Sequence, residues 1–148
     1  MRSTMLRIPL GQQDTDLMVR VSHKLGIIAE RSPDEDMALQ YAIGLLIFFL
    51  THEQICLDDE YHVLRLDPAL LRGETGGSYN LRLSPEGLKA WQMLKFLLGQ
   101  RLGEVVDDTG LLRQALILLD FYLDRVRGGH TLYYSTRRGL KEFCLAIV

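Results

Sequence analysis

Cysteine is scarce in this sequence, positive charge is not in excess, and no apolar run is long. The two cysteines, Cys56 and Cys144, form no CxxC pair, which excludes a disulfide framework and a cysteine-based zinc site. Lone cysteines with apolar neighbours are expected to be small core residues, which fits a reducing compartment. The longest apolar stretch, Ala42 to Leu50, falls well short of the ~20 residues that a membrane-spanning helix requires, so it reads as a buried helix. Nothing resembles a secretory leader: MRSTMLRIPL alternates like a strand and passes into the polar GQQDTD. The expectation is a cytoplasmic protein with no membrane partner. A net charge of −2 and a pI of about 6.1 provide no general attraction to phosphate, so any nucleic-acid binding must come from a local patch.

Catalytic and metal-binding patterns are also missing. His23, His52, His62 and His130 stand far apart, with no HxH or HExxH spacing, so no metal site is expected. No glycine pattern fits a phosphate loop or a dinucleotide fold, and no carboxylate or Cys/His spacing is recognisably catalytic. Asp58-Asp59 reads as a solvated turn. The sequence therefore points away from an enzyme and from a cofactor.

An internal repeat is present. Leu6-Arg7-Ile8-Pro9 recurs as Leu81-Arg82-Leu83-Ser84, 75 residues on, while Leu25-Gly26 recurs as Leu98-Gly99 and AIGLLIFFL from Ala42 as ALILLDFYL from Ala115, both 73 residues on. Three landmarks thus recur in one order at nearly one spacing. With 148 residues, 47% of them hydrophobic, there is core-forming material for two small fused units. We read them as residues 1–72 and 73–148, joined by RGETGG at 72–77.

Each copy parses as strand, helix, helix, strand. In the second, Ser84 is an N-cap with Pro85 at the first helical position. Leu88, Trp91, Leu94, Leu98 and Leu102 recur on one face, and Gly99 offers a stop one turn before the end. Leu111 to Val126 is apolar almost all round, as a central helix would be. Gly128-Gly129 ends it, and TLYYS is expected to pair with FCLAIV across a turn at Arg137–Gly139. In the first copy Leu17, Val21, Leu25 and Ile28 mark the first helix, Ser32-Pro33-Asp34-Glu35 opens the second as a capping box, and YHVLRL from Tyr61 is the closing strand.

The segment Tyr79-Asn80-Leu81-Arg82-Leu83-Ser84-Pro85-Glu86-Gly87-Leu88 resembles the start of ribbon-helix-helix DNA-binding proteins of the Arc/MetJ type. About ten residues carry the motif, and with the helices the likeness covers about 50. The resemblance implies a mainly α fold with short strands, as two ribbon-helix-helix-like repeats in a pseudo-two-fold or dimeric assembly. In that family the outward side chains of a two-stranded antiparallel ribbon enter the major groove. Here those positions are Ser78, Asn80 and Arg82 in the second copy and Ser3, Met5 and Arg7 in the first. Asn and Arg suit the task through bidentate bonds to adenine and guanine; Met5 is the poorest reader.

The ribbon needs two strands. Either Ser3–Pro9 pairs with Ser78–Ser84 inside one chain, or each unit pairs with its equivalent in a second chain. The family also anchors a DNA phosphate at a helix N-terminus, and here the chain departs from it: Asp34-Glu35-Asp36 and Asp107-Asp108 suit the helix dipole but repel phosphate. The basic clusters are modest. Arg125 and Arg127 suit a helix C-terminus, while Arg137, Arg138 and Lys141 are placed to meet a phosphate or an acidic partner. The expected function is a transcriptional regulator that binds double-stranded DNA. The rival is a protein-interaction module that does not bind DNA, and an antitoxin-like protein would combine the two roles.

Overall fold

The computed structural model describes residues 2–51, 56–63 and 66–145. These form a mixed α/β fold with four helices and two small antiparallel sheets. In chain order the elements are β1 (Thr4–Leu10), α1 (Gln12–Ala29), α2 (Glu35–Thr51), β2 (Cys56–Asp58), a short 3-10 helix (Pro68–Leu71), β3 (Gly77–Leu83), α3 (Pro85–Leu102), α4 (Asp108–Arg127), β4 (Leu132–Thr136) and β5 (Gly139–Phe143). No helix among the described residues is long and apolar enough to cross a membrane. The chain divides into two compact units, each drawing on both halves of the sequence: Met1–Asp16 with Leu66–Gln114, and Leu17–Arg65 with Ala115–Val148.

In the first unit β1 pairs antiparallel with β3, with Thr4 opposite Leu83, Leu6 opposite Leu81 and Leu10 opposite Gly77. Alternation explains the two faces. Ile8 and Leu10 are buried and Leu6, Tyr79, Leu81 and Leu83 half-buried, while the residues between them are exposed. A lone two-stranded ribbon is marginal in water. The unit supplies the missing burial through Trp91, Leu94 and Leu98 of α3 and Leu111 and Leu112 of α4, each such side chain contributing roughly 1.5–3 kcal/mol.

α3 begins as its sequence predicts: the Ser84 hydroxyl accepts from the Gly87 N–H, and Pro85 takes the first helical position. It does not stop at Gly99. The helix runs on to Leu102 and closes at Gly103, whose φ of 70° is left-handed. Gly99 serves another purpose. A Cβ there would lie 2.9 Å from the Glu104 carbonyl oxygen, so glycine is what allows the departing chain to fold back onto the helix and return the Glu104 N–H to the Gly99 carbonyl at 3.2 Å.

The second unit packs the remaining turns of α1 and α4 with α2 and a three-stranded sheet in the order β2-β4-β5. Leu17, Val21 and Leu25 are buried along α1. In α4, Ala115, Leu116, Leu118, Leu119 and Leu123 are all buried, as its apolar circumference requires. Phe143 of β5 meets Phe48 and Tyr122, with ring centroids 4.4 and 5.7 Å away.

Several sequence expectations are corrected in this unit, among them the solvated turn at Asp58-Asp59, since Asp58 is buried. α2 starts at Glu35, and Asp34, not Ser32, caps it through a 3.2 Å bond from the Met37 N–H. Ser32-Pro33 is occupied in the return over α1, where a Cβ on Gly26 would lie 3.4 Å from the Pro33 nitrogen. The strand that follows α2 is Cys56–Asp58, ahead of the expected segment, in which Val63 forms an isolated bridge. The Asp58 carboxylate accepts from the Glu60 and His62 N–H groups at 2.9 and 2.8 Å, and with Tyr61 left-handed at φ 64° this ends the strand in a turn. Leu64 and Arg65 of the expected strand lie outside the described residues.

In the terminal hairpin, TLYYS pairs with GLKEF rather than with FCLAIV. Thr136 stands opposite Gly139, and a Gly139 φ of 110° closes a two-residue turn, so pairing resumes at once. Residues 146–148 of FCLAIV lie outside the described residues. Cys144 is consequently exposed rather than a core residue: the chain leaves the sheet after Phe143, which takes the inward position. The side chain of Cys56 is outside the described set.

Candidate nucleic-acid interface

All six residues singled out for base contact lie on the exposed face of β1, β3 and their approach. The register sets Arg7 directly opposite Asn80, Met5 opposite Arg82 and Pro9 opposite Ser78, and Ser3 extends the same alternation one step before β1. Every one of these side chains is exposed. Directly opposed residues hold their Cβ atoms about 4.5–5.5 Å apart, so the six form one continuous strip. The Arg7 Nε donates to the Ser78 Oγ at 3.2 Å, a diagonal contact that leaves the two terminal amino groups of the guanidinium outside that bond. Pro9, opposite Ser78 and exposed, joins the strip. Proline is tolerated there because alternate residues of an antiparallel pair do not use their N–H in the ladder.

What holds the ribbon is less visible in the sequence. Asp14 on the first turn of α1 accepts from Arg113 of α4 in a two-pronged pair, Nε to Oδ1 at 2.7 Å and Nη2 to Oδ2 at 2.8 Å. Both side chains are buried. The same carboxylate accepts from the Gly11 N–H at 2.8 Å, immediately after β1, and Arg113 also donates to the Glu74 carbonyl just before β3. One ion pair thus ties together the end of the first strand and the approach to the second. Gly11 is required at this junction, since a Cβ would fall 2.1 Å from the Glu74 carbonyl oxygen. On α4, the Thr109 hydroxyl donates to the Pro9 carbonyl at 2.7 Å. The available signal for Arg113 was its setting, a charge with Leu111, Leu112, Ala115 and Leu116 around it in the sequence, because a charge must be paired when buried.

The acidic helix starts are caps. Asp107 Oδ1 accepts from the Gly110 N–H at 2.7 Å, and Asp108 Oδ1 accepts from the Trp91 indole at 2.7 Å and from Lys95 at 3.0 Å. Asp34 caps α2 in the same manner. One first-turn N–H of each helix, that of Met37 in α2 and that of Gly110 in α4, is therefore already engaged by a carboxylate. Of the basic clusters, Arg125 is committed to structure, 3.2 Å from the Asp58 carboxylate and over the Phe121 ring. Arg127, Arg137, Arg138 and Lys141 are exposed; they belong to the second unit, the ribbon to the first.

Folding brings His130 to Asp59 at 2.8 Å and to Glu60 at 3.4 Å, a grouping that linear spacing could not reveal. All three lie at or near the surface, and the His130 Nδ1 is already hydrogen-bonded to Asp59. His23 is exposed and distant in sequence, and His52 lies outside the described residues.

No family model matches this chain, and neither a curated protein nor a solved structure matches it.

Proposed function

We propose that this protein is a sequence-specific DNA-binding regulator that lays the β1–β3 ribbon in the major groove, on a ribbon-helix-helix-like fold built from two repeats in one chain. The observation that carries the reading is the register of the ribbon, which sets Arg7 beside Asn80 and aligns Met5, Arg82 and Ser78 on one exposed strip. Arginine and asparagine offer the paired donors and acceptors that distinguish guanine and adenine edges in the major groove.

The spacing of the elements supports the repeat. Thr4 and Gly77, Gln12 and Pro85, and Glu35 and Asp108 open corresponding elements, and each pair stands 73 positions apart. In that frame Arg7 corresponds to Asn80, its own cross-strand partner, which is what a two-fold axis through the middle of the ribbon requires. The helix ends agree. Gly26 accepts from the Arg31 N–H five residues on, as Gly99 does from Glu104, with Glu30 and Gly103 in the left-handed position between them.

The test is duplex binding measured against salt, for the native chain and an Asn80→Ala/Arg82→Ala variant. A regulator of this kind shows affinity falling with rising salt, and the variant loses sequence preference. Absence of binding to any duplex at low salt would leave the alternative, a protein-interaction module on the same fold, antitoxin-like proteins included. The capped acidic starts of α2 and α4 and the net charge of −2 favour that alternative.

A further inference from the structure

We infer that the duplex element read by this ribbon is not a palindrome: its sequence preference is asymmetric about the centre and concentrated at the centre and one end. The inference rests on the DNA-binding reading above.

In a ribbon made by two identical subunits, each outward residue meets the same set of residues across the axis, and the recognised site inherits that symmetry. Here both strands belong to one chain, and none of the three outward residues of β1 matches its equivalent 73 positions on: Met5 corresponds to Ser78, Arg7 to Asn80 and Pro9 to Arg82. Arg7 faces Asn80 at the centre, Met5 faces Arg82 toward one end, and Pro9 faces Ser78 toward the other. The chemistry differs accordingly. Arginine pairs with guanine through O6 and N7, and asparagine with adenine through N6 and N7, so the central pair makes unlike demands on the two sides of the axis. At one end Arg82 adds a second guanine preference, and Met5 supplies an apolar surface suited to a thymine methyl. At the other end Pro9 has no hydrogen-bonding side chain, and the Ser78 hydroxyl, which discriminates weakly between bases, already accepts from Arg7.

Selection from a randomised duplex library with the full chain tests this. The expected consensus core differs from its own reverse complement, carries guanine and adenine at its centre, and has little information on one flank, whether the core is selected once or as a repeat. Making the core symmetric is expected to weaken binding roughly 5- to 150-fold, the equivalent of one bidentate base contact. Arg7→Asn, which renders the central pair alike on an exposed position, is expected to replace the central guanine by adenine, with the fold checked by circular dichroism. A core equal to its reverse complement would overturn the asymmetry and leave DNA binding standing. A library with no enriched sequence would overturn both.

Discussion

Arg113 grips Asp14 with two parallel hydrogen bonds across 99 residues of sequence, and the pair is buried. Removing one partner leaves the other charge buried without compensation, which typically costs about 3–5 kcal/mol. Arg113→Met and Asp14→Asn are each expected to lose stability in urea unfolding. An Asp14→Asn/Arg113→Met double variant should lose less than the two single losses combined, because no orphan charge remains. A single variant within about 0.5 kcal/mol of the native chain would contradict the clamp.

Glu30 occupies a left-handed position, φ 55°, at the end of α1, where α3 has Gly103 at φ 70°. The left-handed conformation costs a residue with a side chain about 1–2 kcal/mol, and glycine loses back about 0.5–1 kcal/mol through its greater freedom in the unfolded chain. Glu30→Gly should therefore raise stability by roughly 0.5 kcal/mol, and Gly103→Ala should lower it by a similar amount. Thermal melts of the two variants must move in opposite directions.

Asp58 connects acid stability to the second unit. Burial alone would push its carboxyl up, but bonds from the His62 backbone and ring and the Glu60 backbone outweigh this and hold it below its ordinary value of 3.8. A depressed carboxyl stabilises the fold at pH above 3.8, and the contribution disappears as pH falls through the lower folded value. Asp58→Asn should be less stable than the native chain at neutral pH. The gap should narrow below about pH 4, and a gap that stays constant down to about pH 2 would refute the assignment.

The outward ribbon residues support no core. Asn80→Ala/Arg82→Ala should leave the unfolding free energy within about 0.5 kcal/mol of native, so a loss of DNA affinity in that variant reports on contact rather than on folding. A larger drop in the melting profile would show that the strip is structural.

Much of the local structure was legible because short-range rules determine it. Ser84-Pro85 announced α3, and period-two alternation assigned the outward face of β1 and β3 even though the Leu-Arg match, at 75, sits two residues off the 73-residue frame. A slip of two leaves every side chain on its own face. Gly99 misled because glycine serves both to end helices and to admit a close neighbour, and only the position of Glu104 tells which. Ser32 misled because it and Asp34 are nearly equal as caps, and the path of the chain past Gly26 chose between them.

By itself, then, the sequence determined the helices and which residues of the two ribbon strands face outward, since both follow from neighbours a few positions away. Tertiary structure alone decided that β1 takes β3 as its partner, with Arg7 against Asn80, and that a buried Asp14–Arg113 pair holds the junctions of that ribbon. Strand partners and buried ions are chosen by groups far apart in the chain, whose proximity exists only after folding.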